Sequence, residues 1–547
     1  MSLVSDMKQR LMAGLNRSSI QSCSRWAEEY RVMGKPIPGP YTFRTHPWAK
    51  EMHDSTHETN VGMKAAQMGF TEAVLNICFY SIDILGQDVL YVLPNLKPDA
   101  TNFSASRFDA ALSLSKHLST LFSDVQNVGH KRAGSANMFI RGSQSESGLK
   151  NISTPVIILD ELEEMNQNNI ALAFERASGQ VEGTVRKWLI STPGVYRDGI
   201  HKYFLDSTQD HYFFICPGCN KYTELTYPKC LEIVGEDDND PRVHESFYKC
   251  AECGVKLPHE TKTEWLKNAR WQPSFSNRNA RGFHIPQLYS FTVTPGNFAI
   301  AHFKALKDPA HEQQLWNSKM GLPHEVKGAR VTDEELADSV GEFSMVHSGR
   351  APTITMGVDV GKFLHFVVSS WNISNDPNAD LNTHSASRVL LSGTVEHFEQ
   401  LDNIMHAFQV KQCVIDANPE RRKAEEFAKR FRGHVVVCFY GNNIKGKTIN
   451  YNEPAESITV DRTYWLDTSL SRFRRKGTRL PVDLPKEWKD HLKNQVRVYE
   501  KDKNNHDIAR YKSTGDDHYG HAWNYNEIAL AMAFGAGVVQ TIEGAVV

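Results

Sequence analysis

Short apolar segments alternate with helix-like segments along residues 41–205. Three of the apolar segments, residues 89–93, 156–159 and 188–190, are runs of branched aliphatic and aromatic side chains. Continuous apolar runs of this length, spaced by helices, are typical of parallel strands that are buried on both faces. The pattern therefore predicts an α/β domain with a parallel sheet and crossover helices.

The rest of the chain divides into four further segments. Residues 1–40 are polar and helix-like up to a breaker, PIPGP, at residues 36–40, which cannot continue a helix. Residues 206–290 are rich in aromatic residues, cysteine and turn formers and predict a small separate module. Residues 291–349 predict a helical linker, and residues 350–547 predict a second α/β domain.

The composition, with 40% hydrophobic and 23% charged residues, is that of a folded globular protein. The most apolar stretches, residues 77–85 and 435–440, are far too short to span a bilayer, so no membrane partner is expected. Residues 1–12 lack the apolar core of a secretory signal. We therefore expect a reducing compartment, in which the nine cysteines indicate metal or redox chemistry rather than disulfides.

The formal net charge is −2, whereas a protein that only coats nucleic acid is usually basic. Any DNA-binding surface must therefore be local. The best candidate lies within residues 462–512 and includes Arg472, Arg474, Arg475, Lys476 and Arg479. A solvated basic face without a partner is an equally good interpretation of these charges.

Residues 64–71, KAAQMGFT, partly match the phosphate-binding pattern G-x-x-x-x-G-K-[ST]. Gly69 and Thr71 are in register, but Phe70 stands where the lysine is expected and Lys64 stands at the first glycine position. An ordinary helix start is the alternative interpretation of this loop.

Two later segments favour the nucleotide interpretation. Residues 156–161, VIILDE, form an apolar strand that ends in Asp160 and Glu161. In a nucleotide hydrolase the first acid supports Mg²⁺ and the second activates the attacking water. Residues 190–193 read ISTP, and Ser191 and Thr192 there are placed to sense the γ-phosphate. The alternatives are solvated acids at a helix start and an ordinary turn.

Four cysteines form two CxxC pairs, Cys216 with Cys219 and Cys250 with Cys253, with thirty residues between the pairs. Two such pairs complete a closed tetrahedral zinc site. Cys230 lies between the pairs and is an alternative ligand. Unligated thiols or a redox pair are the other interpretations.

Three acids in the C-terminal half have the pattern of a two-metal site. Asp359 and Asp416 each lie in an otherwise apolar strand, where a lone carboxylate is costly unless a metal or partner compensates it. Asp517 precedes a helix that includes residues 524–533, and Asp516 competes with it for the third place. Such acids gather two divalent cations for phosphodiester cleavage. Three unrelated surface acids are the alternative.

The order of these motifs resembles that of the phage terminase large subunits, most closely the lambda-type family. Its ATPase has the lysine-first loop, the VIILDE-like strand and the STP segment. The cysteine stretch and the segments GVDVG, VIDAN, ITVDRTYWLD and DDHYGHAWNY are similar to the following parts of that family. The resemblance implies a P-loop ATPase domain, a zinc-binding module and an RNase H-like nuclease domain.

The resemblance also implies roles for single residues. The ATP site comprises Lys64, Gln67, Gly69, Thr71, Asp160, Ser191 and Thr192, with Glu161 as catalytic base and Arg141 as arginine finger, Arg132 being the alternative finger. Asp359, Asp416 and Asp517, or Asp516 in place of the last, hold Mg²⁺ or Mn²⁺ in the nuclease. His518 and His521 are candidates for an assisting role, although a histidine at a helix start is more often structural.

Such a protein is expected to package double-stranded viral DNA into procapsids with ATP and to cut concatemeric DNA. The implied partners are the DNA, a small terminase subunit, the portal protein and further copies in a ring. The implied location is the host cytoplasm, transiently the procapsid portal, and not the mature virion. A helicase or remodeller with an accessory nuclease is one alternative function. A non-catalytic scaffold, which Phe70 favours, is another.

Overall fold

The computed structural model describes residues 22–35, 38–123, 125–373, 381, 384–441, 449–452, 455–502, 504, 506–535 and 538–541. These residues form two compact units, Met1–His324 and Glu325–Val547. The predicted helical stretch at residues 1–21, part of the proline-rich breaker and the tail after residue 541 lie outside the described residues.

Strands and helices alternate through the first unit. Its strands are β1 (Val32–Met33), β2 (Gly39–Pro40), β3 (Thr59–Lys64), β4 (Val89–Leu93), β5 (Val125–Asn127), β6 (His130–Ala133), β7 (Ala136–Gly142), β8 (Val156–Asp160), β9 (Arg186–Ser191), β10 (Asp210–Ile215), β11 (Tyr222–Thr223), β12 (Leu231–Glu232), β13 (Phe247–Lys249), β14 (Lys256–Leu257), β15 (Arg270–Pro273) and β16 (Ala280–Ile285). Its α-helices are α1 (Cys23–Tyr30), α2 (Ala49–His53), α3 (Phe70–Asp83), α4 (Thr101–Phe103), α5 (Asp109–Leu114), α6 (Lys116–Leu121), α7 (Glu146–Lys150), α8 (Ile170–Phe174), α9 (Gly199–Leu205), α10 (Lys262–Trp265), α11 (Pro295–Ala305) and α12 (Pro309–Gln314).

One large sheet forms the centre of the first unit. Its order is β11-β10-β16-β3-β9-β8-β4-β7-β6-β5, and β15 also pairs with β10. The strands from β10 to β7 along this order run parallel to one another. β8 and β4 are buried along their whole length, because helices cover both faces of such a sheet. The predicted parallel sheet is therefore confirmed.

The stretch predicted as a separate module, residues 206–290, contributes strands to this same sheet. β16 pairs with β3 over six residues, with Ile285 opposite Lys64, and β10 pairs with β16. The Phe283 ring stacks on Trp188 with centroids 5.9 Å apart, so this stretch shares the core of the preceding one. Only β12, β13 and β14 form a small sheet of their own. The cysteine stretch is thus continuous with the first unit.

The second unit has its own mixed sheet. Its strands are β17 (Ile354–Val360), β18 (Leu364–Ile373), β19 (Ser385–Val395), β20 (Gln412–Asp416), β21 (Val435–Tyr440), β22 (Ile449–Asn452), β23 (Ser457–Val460), β24 (Thr478–Arg479), β25 (Gln495–Lys501), β26 (Asp507–Ser513) and β27 (Val538–Thr541). Its α-helices are α13 (Asp333–Ser339), α14 (Phe398–Phe408), α15 (Arg421–Arg430), α16 (Arg462–Arg474), α17 (Trp488–Lys493) and α18 (His518–Ala533).

The sheet order of the second unit is β24-β19-β18-β17-β20-β21-β23-β22-β27, and β25 pairs with β26 in a separate hairpin. β17, β18 and β19 are antiparallel neighbours, whereas β20 and β21 run parallel to β17. A meander followed by parallel strands is the arrangement expected for an RNase H-like domain. Helix α18 packs directly on β17. The contact is so close that an added Cβ at Gly357 would overlap the backbone of Ala522 and Asn526.

The basic stretch at residues 462–512 is less exposed than predicted. Arg472 is fully buried and pairs with Glu527 at 2.5 Å, while its guanidinium also donates to the Ser385 carbonyl oxygen. Lys476 pairs with Asp338 at 2.9 Å. Arg472 therefore belongs to the core and not to a DNA-binding surface. Among the described residues no helix is long and apolar enough to cross a membrane.

Candidate active sites

The loop that resembles a phosphate-binding loop connects β3 to α3. It turns at Gly69, whose φ is 78°, and at Gln67, whose φ is 59°. Phe70 is 1% exposed and its ring packs against Gly62, where an added Cβ would lie 2.7 Å from the ring. The side chain at the usual lysine position therefore fills the core, whereas Lys64 at the end of β3 pairs with Glu161, one of the predicted carboxylates.

Neighbouring segments hold the backbone of this loop in place. Ala65 donates its N–H to the Ile285 carbonyl oxygen at 3.0 Å, and Ala66 donates to that of Ser318 at 2.7 Å. The Gln287 amide donates to the Ala66 carbonyl oxygen at 3.1 Å, and the Trp48 indole donates to that of Met68 at 2.9 Å. The sequence motifs gave no signal for these contacts, since they come from distant segments.

Lys64, Asp160 and Ser191 end the neighbouring strands β3, β8 and β9. The carboxyl ends of parallel strands are where nucleotide sites lie in α/β sheets. The Lys64 ammonium is 3.4 Å from a carboxylate oxygen of Glu161, whose own φ is 60°. Such strained backbone is concentrated at functional sites. The structure therefore brings the predicted lysine and both predicted acids together.

Asp160 is buried and receives a hydrogen bond from the Tyr91 hydroxyl at 2.6 Å. Burial and, to a smaller extent, the neighbouring Glu161 carboxylate raise the pKa of Asp160 to about 6, against the opposing effects of Lys64 and of hydrogen bonds from Tyr91 and Thr71. The second carboxylate oxygen, Oδ1, is buried without a hydrogen-bond partner among the described residues. Buried polar atoms are rarely unpartnered, and an anionic oxygen at this edge fits a divalent cation.

The turn after Glu161 is linked to the segment after β9. Glu163 donates its backbone N–H to the Ser191 hydroxyl oxygen at 3.2 Å, and its carboxylate accepts the N–H of Ile200 at 3.2 Å. An added Cβ at Gly194 or Gly199 would overlap this carboxylate. Glu163, a residue that the motif pattern did not single out, therefore connects the two predicted motifs.

The two candidate arginine fingers have different surroundings. Arg141 lies in β7, two strands away from β8. Its guanidinium donates to the carbonyl oxygens of Gly129, Ile140 and Gly148. Arg132 is exposed and donates to the Gly134 carbonyl oxygen at 2.9 Å. The three carbonyl oxygens that hold the Arg141 guanidinium all belong to this chain.

The four predicted zinc ligands converge. The sulfur atoms of Cys216, Cys219, Cys250 and Cys253 all lie within 4.8 Å of one another. The N–H groups of Gly218 and Glu252 each donate to a cysteine sulfur at 3.4 Å, which stabilises thiolates. These four sulfurs have the donor type and grouping of a closed tetrahedral site.

Cys230 is not part of this cluster. Its thiol donates to the Glu224 carbonyl oxygen at 3.4 Å, and burial raises its pKa. The alternative in which Cys230 replaces one of the four ligands therefore disagrees with the structure, because the side chain points to a backbone acceptor instead.

In the second unit Asp416 ends β20 and Asp359 is the last residue but one of the adjacent parallel strand β17. Both lie one residue beyond the pair Val358–Ile415. Asp359 is 6% exposed. Burial and, to a smaller extent, the nearby Asp359 carboxylate raise the pKa of Asp416 to about 6. Two carboxylates that repel each other at a sheet edge are typical of a cation-binding site.

Asp517 precedes α18 and pairs with His521, with 3.2 Å between Oδ2 and Nε2. Burial by itself would raise the pKa of Asp517, but the hydrogen bond and charge of His521, together with Arg462 and Ser513, lower it by more, so the pKa lies below its usual value. His521 in turn contacts the Tyr440 hydroxyl at 3.1 Å. Asp516 is exposed and Asp517 is half-buried, which favours Asp517 as the inward-facing acid.

A group of histidines adjoins Asp359 on its other side. Asp359 lies directly opposite His365 of β18, and its Oδ2 is 2.9 Å from Nδ1 of His518. The rings of His365 and His518 stack with centroids 4.6 Å apart, and His491 lies 5.8 Å from His518. His365 and His491 were missed in the sequence because they lie in segments without a recognisable motif.

Two models of known protein families together match most of the chain. Residues 35–271 match the family model described as phage terminase large subunit gpA, ATPase domain, and residues 280–541 match that of the terminase large subunit gpA, endonuclease domain. The chain belongs to the phage terminase large subunits of the gpA type. No curated protein sequence matches it.

Several solved terminase structures are similar to this chain. The HK97 bacteriophage large terminase is 11% identical with a TM-score of 0.50, and the match covers 93% of this chain and 98% of that chain. This likeness shows a common terminase fold. The ATPase domain of the Thermus phage P74-26 large terminase is 14% identical (TM-score 0.30; 52% and 94% covered). The magnesium-bound large terminase nuclease of the thermophilic phage G20c is 13% identical (TM-score 0.23; 36% and 94% covered).

As a terminase large subunit, the protein combines an ATPase that drives DNA packaging with a metal-dependent endonuclease that cuts viral DNA. The first unit contains the ATPase motifs and the second contains the nuclease carboxylates. The expectations for family, fold class and enzyme activity are confirmed. The individual site residues remain predictions.

Proposed function

We propose that ATP binds at the carboxyl edge of the first sheet, with its phosphates at Lys64 and at the loop residues Gln67, Gly69 and Thr71. The observation that carries this proposal is the convergence of Lys64 with Asp160 and Glu161 at strand ends. A bound Mg²⁺ neutralises phosphate charge, and the unpartnered oxygen of Asp160 is its anchor.

Glu161 is the catalytic base in this proposal. Its carboxylate is 40% exposed, so a water molecule can reach it, and Lys64 holds it at the strand end. Ser191 and Thr192 respond to the γ-phosphate. The hydrogen bond from the Glu163 N–H to the Ser191 hydroxyl couples a movement of the turn after Glu161 to the segment after β9. Arg141 completes the site of the neighbouring subunit in a ring.

For the nuclease we propose that Asp359, Asp416 and Asp517 hold Mg²⁺ or Mn²⁺, with Asp516 as the weaker candidate because it is exposed. A cation removes the repulsion between the carboxylates of Asp359 and Asp416. Metal ions at such a site activate water and stabilise the leaving oxygen of a phosphodiester.

The cysteine cluster is proposed to hold one structural Zn²⁺. Four thiolates leave no open position for water, so the ion stabilises β13 and the turns around it rather than taking part in catalysis. Replacing Cys216 with serine is expected to remove the zinc that elemental analysis detects and to lower the melting temperature. The matched Cys230→Ser variant retains its zinc, because Cys230 lies outside the cluster.

We further propose that the substrate is double-stranded DNA, that the small terminase subunit and the portal are partners, and that several copies form a ring during packaging. The protein would act in the host cytoplasm and transiently at the procapsid portal, and would be absent from the mature virion. Phosphate contacts dominate DNA binding of this kind, so affinity is expected to fall steeply with salt.

The first experiment is plasmid cleavage and DNA-stimulated ATP hydrolysis by the full chain beside Asp359→Asn and Glu161→Gln. Asp359→Asn should abolish cleavage and leave ATP hydrolysis intact, and Glu161→Gln should do the reverse. Each variant is the control for the other, because both remove a single negative charge. Equal cleavage by the parent and Asp359→Asn would contradict the nuclease assignment, and equal ATP hydrolysis by the parent and Glu161→Gln would contradict the ATPase assignment.

A further inference from the structure

Arg462 is a basic residue at the sheet edge where the nuclease carboxylates lie. β20, β21 and β23 are parallel neighbours, so their carboxyl ends meet at one edge of the sheet. Asp416 ends β20, Tyr440 ends β21, and Arg462 begins α16 two residues after the end of β23. The Asp461 carboxylate accepts the N–H of Tyr464 at 2.8 Å and caps this helix. The fold therefore fixes the start of α16, and with it Arg462, at the edge that holds the acids.

The guanidinium of Arg462 has few partners. Within the described part of the chain it forms no ion pair, and its one polar contact is to Nε2 of His521 at 3.2 Å. Its Nε is buried and finds no acceptor there. Its Cζ lies 5.8 Å from the centre of the Tyr440 ring. A guanidinium offers several N–H donors, and buried polar groups are normally hydrogen-bonded. Most of the donor capacity of Arg462 is therefore not accounted for by these residues.

The contact with His521 does not satisfy Arg462 either. The same Nε2 lies 3.2 Å from Oδ2 of Asp517, and an ionised carboxylate can only accept hydrogen bonds. Nε2 either donates to Asp517 and offers Arg462 no acceptor, or accepts from Arg462 and leaves Asp517 without its donor. Donation to an ionised carboxylate is charge-assisted, which favours the first arrangement. The guanidinium is then left without an acceptor.

An anion from outside the chain is the partner that this guanidinium lacks. Among the described residues, none of the nuclease carboxylates pairs with Arg462, although Asp517 shares the His521 nitrogen with it. Neutralising these acids is therefore not its task. A guanidinium presents its donors in a planar fork that matches two oxygens of a phosphate, and the substrate of a DNA nuclease is a phosphodiester.

We propose that Arg462 is a substrate-binding residue of the nuclease, whose guanidinium donates to the non-bridging oxygens of the DNA phosphate at the cleavage site. This inference rests on the proposed nuclease function and assigns a residue to the DNA rather than to the metal. The carboxylates of the site repel the DNA backbone. The positive charge of Arg462 offsets that repulsion and holds the phosphate beside the acids.

The test compares cleavage of duplex DNA by the full chain, Arg462→Gln and Arg462→Lys at fixed Mn²⁺ over a range of salt concentrations. Arg462→Gln should lower kcat/KM by about 10- to 100-fold, the weight of a charge-assisted hydrogen bond. The slope of log kcat/KM against log salt should become shallower by about 0.9, the change for one lost phosphate contact on duplex DNA. Arg462→Lys keeps the charge but not the fork, so it should keep the slope and recover only part of the rate.

Mn²⁺ affinity separates DNA binding from a structural role. It is measured without nucleotide and with Asp160→Asn to remove the proposed ATPase cation site. Loss of the positive charge in Arg462→Gln should leave Mn²⁺ binding as tight as in the parent or make it tighter, whereas loss of an arginine that only orients His521 would weaken it. Arg432→Gln is the matched control and should change neither the cleavage nor the Mn²⁺ affinity. Arg432 is exposed and precedes β21, at the opposite end of that strand from Tyr440.

Two results would overturn the proposal and leave the nuclease assignment standing. One is a salt slope in Arg462→Gln equal to that of the parent, whatever its rate. The other is weaker Mn²⁺ binding that accounts for the whole loss of rate. Cleavage by the parent that does not depend on Asp359 would contradict the proposed nuclease site as well. Circular dichroism checks folding. If Arg462→Gln does not fold, the milder Arg462→Lys decides the matter, because a rate equal to that of the parent would contradict the phosphate contact.

Discussion

Replacing Asp160 with asparagine is expected to make the nucleotide-free protein more stable while it abolishes ATP hydrolysis. Asp160 is buried, and burial raises its pKa from 3.8 to about 6. The folded state therefore holds this proton more tightly than the unfolded state does. Between pH 4 and pH 6 the folded protein binds more protons at this site, so stability falls as the pH rises through that window.

The size of the effect follows from the shift. A shift of one pKa unit corresponds to about 1.4 kcal/mol, so the move from 3.8 to about 6 costs about 3 kcal/mol at pH 7, where Asp160 is ionised. Asparagine has no charge to bury and still accepts the hydrogen bond from the Tyr91 hydroxyl. The variant should gain up to about 3 kcal/mol at pH 7, a figure that already includes the opposing attraction of the Lys64 ammonium, and almost nothing at pH 4.

The assay is denaturant unfolding of the full chain without nucleotide at pH 7 and at pH 4.5, with Asp206→Asn as control. Asp206 is exposed, so its replacement should change stability by less than about 0.5 kcal/mol at either pH. ATP hydrolysis is measured on the same samples. A variant that is less stable than the parent at pH 7, or a stability difference that does not depend on pH, would refute the reasoning.

Three further predictions concern other parts of the molecule. Phe70→Lys should destabilise the fold by about 3 kcal/mol or more in denaturant unfolding, since the ring is 1% exposed and an ammonium would be buried in its place. Added to Lys64→Ala, the same substitution should not restore ATP hydrolysis. Glu527→Gln should cost about 3–5 kcal/mol by the same measurement, because it leaves the fully buried Arg472 unpaired. DNA cleavage at fixed Mn²⁺ should fall as the pH drops below about 6, where protons compete with metal for Asp416.

The motifs themselves can be recognised from the sequence without a structure. Residues 156–159 are all apolar and two acids follow them; residues 156–160 form β8, with Asp160 at its end. The two CxxC pairs converge as their spacing predicts. These features are local: a strand, its terminal acid and a tight turn are all specified within a few residues, so a short stretch of sequence is enough to recognise them.

Other features required the fold. The sequence alone determined the order of the ATPase, cysteine and nuclease motifs. It did not show that Phe70 faces the core, that the cysteine stretch joins the ATPase sheet, or that Arg472 is buried with Glu527. The approach of His365 to Asp359 and His518 likewise joins residues from a strand and a distant helix. Such contacts depend on strand register and on how closely a helix packs against its sheet, and these are set by packing across the whole domain rather than by local periodicity.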